Sequence, residues 1–161
     1  MKIISIDPGY ERLGLAILEK TPASRQEKIL YSDCFQTSAQ FPFEGRLKLI
    51  GQEIKKIIKK YRPAVLVMET VFFNTNQKTA FLVAEVKGLL KYIALENKLE
   101  IFEYTPLQIK IAITGYGRSS KQQMLAMLTK LIQIEKKIKY DDEYDALAVG
   151  LTYFAINPVR E

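Results

Sequence analysis

The 161-residue chain has no histidine and a single cysteine. Without imidazole, the commonest general base is gone. Ser-His and Cys-His nucleophilic mechanisms and every imidazole-bound zinc site go with it. Cys34 alone can close no internal disulfide and build no thiolate zinc centre, so it reads as a small buried residue on a strand. Long apolar runs are also missing. The stretch from Ala146 to Ile156 is too short to span a bilayer, and the run after Lys2 is cut by Asp7 before it could serve as a signal peptide. With no disulfide and no such segment, a cytoplasmic location is expected. No repeat, low-complexity tract or long linker divides the sequence, and the length suits one domain over residues 1–161.

What remains for multidentate chemistry is carboxylate. Asp7 ends the apolar run Lys2-Ile3-Ile4-Ser5-Ile6, and Glu69 ends Ala64-Val65-Leu66-Val67-Met68. Asp142 and Asp145 open Ala146-Leu147-Ala148-Val149. If those segments lie side by side, four negative charges meet, and such a cluster repels itself unless protons or cations join it. Oxygen donors suit magnesium or manganese. Taken singly, each residue has a plain alternative: a turn former at Asp7 before Pro8-Gly9, a solvated strand end at Glu69, helix-start acids at Asp142 and Asp145. Asp141 and Glu143 read as such helix-start acids.

The net charge is +6, and its placement is uneven. Residues 104–140 hold Lys110, Arg118, Lys121, Lys130, Lys136, Lys137 and Lys139 against Glu135 alone, which accounts for the whole surplus. A confined basic region is the electrostatic footprint of a polyanion site. Lys136-Lys137-Ile138-Lys139 on its own reads as a solvated helix face.

Three strands are expected first, at 2–7, 13–19 and 28–36, forming a meander around loops at 20–28 and 36–46. A helix follows over 44–60, with Leu47, Ile50, Ile54, Ile57 and Ile58 at helical spacing, stopped by Tyr61-Arg62-Pro63. Residues 64–69 form a continuous apolar strand, central and parallel. A long helix spans 77–97, a fifth strand 99–103, and helices follow at 106–113, 120–134 and 143–156. The fold class is α/β, a mixed sheet with helices on its faces, where ligands sit beyond the strand carboxyl ends. Asp142 and Asp145, three apart at a helix start, point to one face. With Asp7 and Glu69 they would complete a four-donor cage, in which two metal ions can hydrolyse a phosphodiester without a side-chain base.

The motifs resemble those of the RuvC-type Holliday junction resolvases of the RNase H-like superfamily. The resemblance runs through Ile6-Asp7-Pro8-Gly9, Arg46-Leu47-Lys48-Leu49-Ile50, Met68-Glu69-Thr70-Val71-Phe72, Lys87-Gly88, Phe102-Glu103-Tyr104, Gly115-Tyr116-Gly117 and Asp142-Glu143-Tyr144-Asp145-Ala146-Leu147-Ala148. It implies an RNase H-like mixed five-stranded sheet flanked by helices, with Asp7, Glu69, Asp142 and Asp145 as catalytic ligands for two Mg2+ ions, Mn2+ being a possible substitute. Some members carry histidine at the third position, and Asp142 keeps this set all-carboxylate.

The resemblance also implies four-way junction DNA as substrate, cut by symmetric paired nicks that leave 5′-phosphate and 3′-hydroxyl ends, and a partnership with the RuvA–RuvB branch-migration complex. Two strands of like polarity require a two-fold homodimer, for which helix 77–97 is the candidate interface. Lys110 and Lys121 match positions that lie near junction phosphates, and Arg118 belongs to the same basic stretch. Ser119 and Gln122 are spaced as a capping box, whose free N–H groups favour a phosphate. Phe72 and Phe73 could be core or interface residues by periodicity. By resemblance the Phe72 position stacks on bases at the crossover, and Phe72 ranks ahead of Phe73 as a DNA contact. Other RNase H-like nucleases acting on RNA and a non-catalytic junction binder are the competing readings. An actin-like ATPase would need a duplicated second domain.

Overall fold

The computed structural model describes residues 1–24, 26–70 and 77–158. Strands β1 (Lys2–Asp7), β2 (Arg12–Glu19) and β3 (Lys28–Gln36) come first, then helix α1 (Phe43–Tyr61), strand β4 (Val65–Glu69), helix α2 (Gln77–Glu96) and strand β5 (Glu100–Tyr104). Helices α3 (Pro106–Thr114), α4 (Lys121–Leu131) and α5 (Asp141–Ile156) complete the order. The sheet runs β3-β2-β1-β4-β5, the mixed five-stranded, helix-flanked arrangement expected of an RNase H-like chain. The meander β1-β2-β3 is antiparallel, whereas β1, β4 and β5 are parallel. The middle strand is β1, with β4 beside it and still interior.

Period-two alternation sorts the apolar side chains onto two faces. Ile3, Val65 and Val67 pack with Leu147, Val149 and Phe154 of α5 and with Ile109, Ile113 and Leu128 of α3 and α4. Ile4, Ile6, Leu66 and Met68 pack instead with Ile50, Ile54 and Ile57 of α1 and Val86, Leu90 and Ile93 of α2. Helix α1 ends where Arg62 turns left-handed (φ 52°) before Pro63. Helix α3 opens on a Thr105–Gln108 capping box with Pro106 in its first turn, and closes at Gly115, whose φ of 73° suits a residue without a side chain.

Three expectations shift. The second loop is shorter than 36–46, because α1 begins at Phe43. Helix α4 ends at Leu131, and Ile132 leaves it in extended geometry to bury its side chain, 2 % exposed. The Lys136–Lys139 stretch consequently lies outside any helix. Among the described residues no helix is long and apolar enough to cross a membrane.

A candidate carboxylate metal centre at the end of the sheet

The parallel pairing of β1 with β4 runs from Ile3 opposite Val65 to Ile6 opposite Met68. One step further along, Asp7 and Glu69 end the two strands. Alternation puts both on the α5 face, in the rows of Ile3 and Val65–Val67. The remaining carboxylates arrive at the start of α5, Asp142 in the first turn and Asp145 just beyond it. What brings that turn close is Gly14, the antiparallel partner of Asp7 on β2. A Cβ there would lie 1.8 Å from the Asp142 carbonyl oxygen, so the helix start rests directly on the strand backbone. A glycine inside a strand signals such a close approach, and this one is visible in the sequence as Leu13-Gly14-Leu15.

The four acids share one electrostatic neighbourhood. The Asp7 carboxyl is pushed up to about 7, first by burial and then by the charges of Asp145, Glu69 and Asp142, with Lys121 opposing. Burial and Asp145 also raise Glu69, against the pull of Lys87 and Lys110. Asp145 is raised by burial and by Asp141 and Asp142, while Lys121 lowers it. Carboxyls raised in this way lack enough counter-charge, and a divalent cation is one remedy.

The chain's own cations supply part of it. Arg12 Nε stands 3.4 Å from Asp142 Oδ2, and Lys121 Nζ is 3.0 Å from Asp141 and 3.7 Å from Asp145. In this arrangement, among the described residues, no group of three or more Asp, Glu or Cys side chains is set to hold a metal ion, in place of the expected closed cage. Side chains that repel one another turn toward nearby cations. The donor chemistry, all carboxylate with no nitrogen or sulfur, still fits oxygen-preferring Mg2+ or Mn2+.

Basic residues flank the acids. Glu69, Asp145, Lys110 and Lys121 line one cleft of about 240 Å³ with Met124 and Val149. Arg118 is exposed on the turn between α3 and α4 and is not among the residues lining that cleft. Phe72 and Phe73 lie outside the described residues. The capping box of α4 is formed by Ser120 and Gln123, one position later than expected. Ser119 donates its N–H to Tyr116 within the preceding turn and is buried, 3 % exposed, so it cannot serve as the cap.

Glu143 is not a plain helix-start acid. It is 4 % exposed, accepts from Ser32 Oγ at 2.6 Å, and pairs with Lys136 Nζ at 2.7 Å. Lys136 also donates to the Ser32 carbonyl at 2.6 Å, so the residue read as solvated surface ties β3 to the start of α5. No sequence signal singles out this trio, because Ser32 stands more than a hundred residues from Lys136 and Glu143. Arg12 was equally unmarked.

The model of the family "Crossover junction endodeoxyribonuclease RuvC" matches residues 3–153. The crossover junction endodeoxyribonuclease RuvC of Alkaliphilus oremlandii is 40 % identical over 153 residues, covering 95 % of this chain and 92 % of that one. Its counterpart from Desulforamulus reducens is 38 % identical over 153 residues, 95 % and 93 % of the two chains. The structure of T. thermophilus RuvC in complex with Holliday junction substrate superposes with a TM-score of 0.89 at 26 % identity, over 97 % of this chain and 94 % of that one. With a match of that extent, carboxylates at the ends of two parallel strands and a second pair on the abutting helix, the chain belongs to the RuvC family of crossover junction endodeoxyribonucleases.

Proposed function

We infer that this protein is a structure-selective endonuclease that resolves Holliday junctions by nicking two strands in a symmetric pair, in DNA recombination and repair. The observation that carries the reading is the cleft that Glu69 and Asp145 share with Lys110 and Lys121, next to an Asp7 carboxyl raised by burial and by the charges of Asp145, Glu69 and Asp142. A pocket of concentrated negative charge at a basic cleft suits phosphodiester hydrolysis with divalent cations and suits few other reactions.

Asp7, Glu69, Asp142 and Asp145 are the proposed ligands. Two ions per site, Mg2+ or Mn2+ in its place, supply Lewis-acid chemistry when bound. Lys110 and Lys121 hold the phosphates that flank the cut, and Arg118 meets the backbone farther out. Lys121 exchanges its contacts with Asp141 and Asp145 for a phosphate, which releases both acids toward the reacting end of the sheet. Water attacks the phosphorus, the bond to the 3′ oxygen breaks, and the products carry 5′-phosphate and 3′-hydroxyl ends. Phe72, with Phe73 next to it, is proposed to stack on bases at the crossover.

Paired nicking calls for two sites related by a two-fold axis. Helix α2 supports a homodimer, since Phe81, Tyr92 and Leu95 are 63 %, 58 % and 67 % exposed and recur along one stripe. A RuvA–RuvB branch-migration complex is the proposed cellular partner. Incubation with a mobile four-way junction and Mg2+ tests the reading. Paired nicks at symmetric positions are expected, and unpaired, structure-blind degradation would overturn it.

A further inference from the structure

Lys87 of α2 is 5 % exposed, on the helix face turned toward the sheet with Val86, Leu90 and Ile93. Its ammonium donates to the backbone carbonyl of Glu69 at 2.6 Å and pairs with Glu103 Oε1 on β5. Lys91, one turn later, pairs with the other Glu103 oxygen at 2.7 Å. A buried ammonium is tolerable only when its protons are accepted, and here a carbonyl and a carboxylate accept them.

The same peptide unit is held from its other side. The N–H of Thr70 donates to the carbonyl of Tyr104 at 2.9 Å. Both polar groups of the Glu69–Thr70 peptide are thus pinned, the oxygen by α2 and the N–H by β5. Glu69 is the last residue of its strand, so the ladder to β5 holds that plane through its N–H and Lys87 holds it through its oxygen. Pinning the plane sets ψ of Glu69 and with it the direction of its side chain.

We propose that Lys87 is a positioning residue for DNA cleavage: it locks the Glu69–Thr70 peptide to helix α2 and so aims the Glu69 carboxylate at Asp7. The proposal rests on the reading of Glu69 as a member of the catalytic set. Lys87 itself touches no reacting atom. Lys87 thus joins α2, which carries Phe81, Tyr92 and Leu95 on its exposed face, directly to the carbonyl of Glu69.

The test compares wild type, Lys87→Met and Lys87→Arg. Three quantities are read: the single-turnover rate on a four-way junction with Mg2+, junction affinity in EDTA, and amide exchange at Thr70 in the metal-free protein. Lys87→Met is expected to slow cleavage by about tenfold or more, since small misplacements of a reacting group carry losses of that order. Junction affinity should stay within about twofold, because phosphate contacts are intact. Thr70 should exchange faster while the β1 amides do not, and Lys87→Arg, which still donates, should restore rate and protection together. Unchanged Thr70 protection in Lys87→Met, or a rate loss that follows thermal stability and that Arg fails to rescue, would overturn the proposal. Should Lys87→Met fail to fold, Glu103→Gln loosens the anchor of the same ammonium and must lower rate and Thr70 protection together. If wild type does not cut junctions, the nuclease reading fails, yet Thr70 exchange still decides whether Lys87 holds the strand end.

Discussion

Gly14 on β2 lies beneath the carbonyl of Asp142, so close that an added Cβ would sit 1.8 Å from that oxygen. The obstacle is backbone, which has no rotamer to yield. Gly14→Ala therefore forces the start of α5 off the sheet and separates Asp142 and Asp145 from Asp7. We expect a stability loss of about 1–3 kcal/mol, as for overpacked sites, and loss of junction cleavage beyond what that instability explains. Thermal unfolding and cleavage rates of the folded fraction check both parts.

Asp7→Asn should abolish cleavage while leaving junction binding intact. It should also change the pH dependence of stability in the metal-free protein. The carboxyl of Asp7 rises from 3.8 to about 7 on folding, so between those values the folded state binds the extra proton. Its stabilising contribution is complete below the unfolded value and is lost as pH rises through the folded one. The variant and wild type should match near pH 4, and the variant should be the more stable at pH 8, by at most roughly 4 kcal/mol for a shift of this size. Mg2+ at pH 8 should narrow that gap by stabilising wild type more. Equal curves across this range in metal-free buffer would contradict the shared charge.

Lys121→Ala should flatten the salt dependence of junction binding by about one counterion. Its ion pairs with Asp141 and Asp145 involve a side chain 64 % exposed, so removing them should move unfolding by no more than about 0.5 kcal/mol. Binding isotherms at several salt concentrations, together with melting curves, separate a phosphate contact from a structural one.

The Ser32–Glu143–Lys136 trio predicts an order of damage. Lys136→Met leaves the buried Glu143 carboxylate with Ser32 as its side-chain partner among the described residues, whereas Glu143→Gln keeps an acceptor and removes the charge. Lys136→Met should cost more, about 2–3 kcal/mol against about 1 kcal/mol, because an uncompensated buried charge outweighs a weakened hydrogen bond. Denaturant titration of both variants decides it.

On α2, Gly88 is exposed between Phe81 and Tyr92, and a Cβ there meets nothing within 4 Å. Gly88→Glu should therefore leave the fold unharmed and slightly favour the helix, by up to about 1 kcal/mol. If the stripe is the subunit interface, the added charge should shift the protein to monomers in sedimentation and uncouple the paired nicks. A dimer of unchanged affinity would move the interface elsewhere.

Much of this was legible in one dimension. Near-continuous apolar runs in β1, β2 and β4 mark two-sided burial, and Leu47 to Ile58 mark an amphipathic helix, because strand and helix patterns depend on neighbours alone. The acids at the ends of those runs stand out for the same reason. Helix ends were less legible. The choice between Ser119 and Ser120 as the cap depended on which of them the preceding turn had already buried.

Local pattern determined that carboxylates would end strands β1 and β4 and begin a helix, since strand ends and apolar runs are properties of consecutive residues. Only the folded chain decided that α5 would settle on Gly14, that Glu143 would be buried against Ser32 and Lys136, and that Lys87 would clamp the Glu69 carbonyl. Each of these joins residues far apart along the chain, and the geometry that unites them exists once helices and sheet have packed.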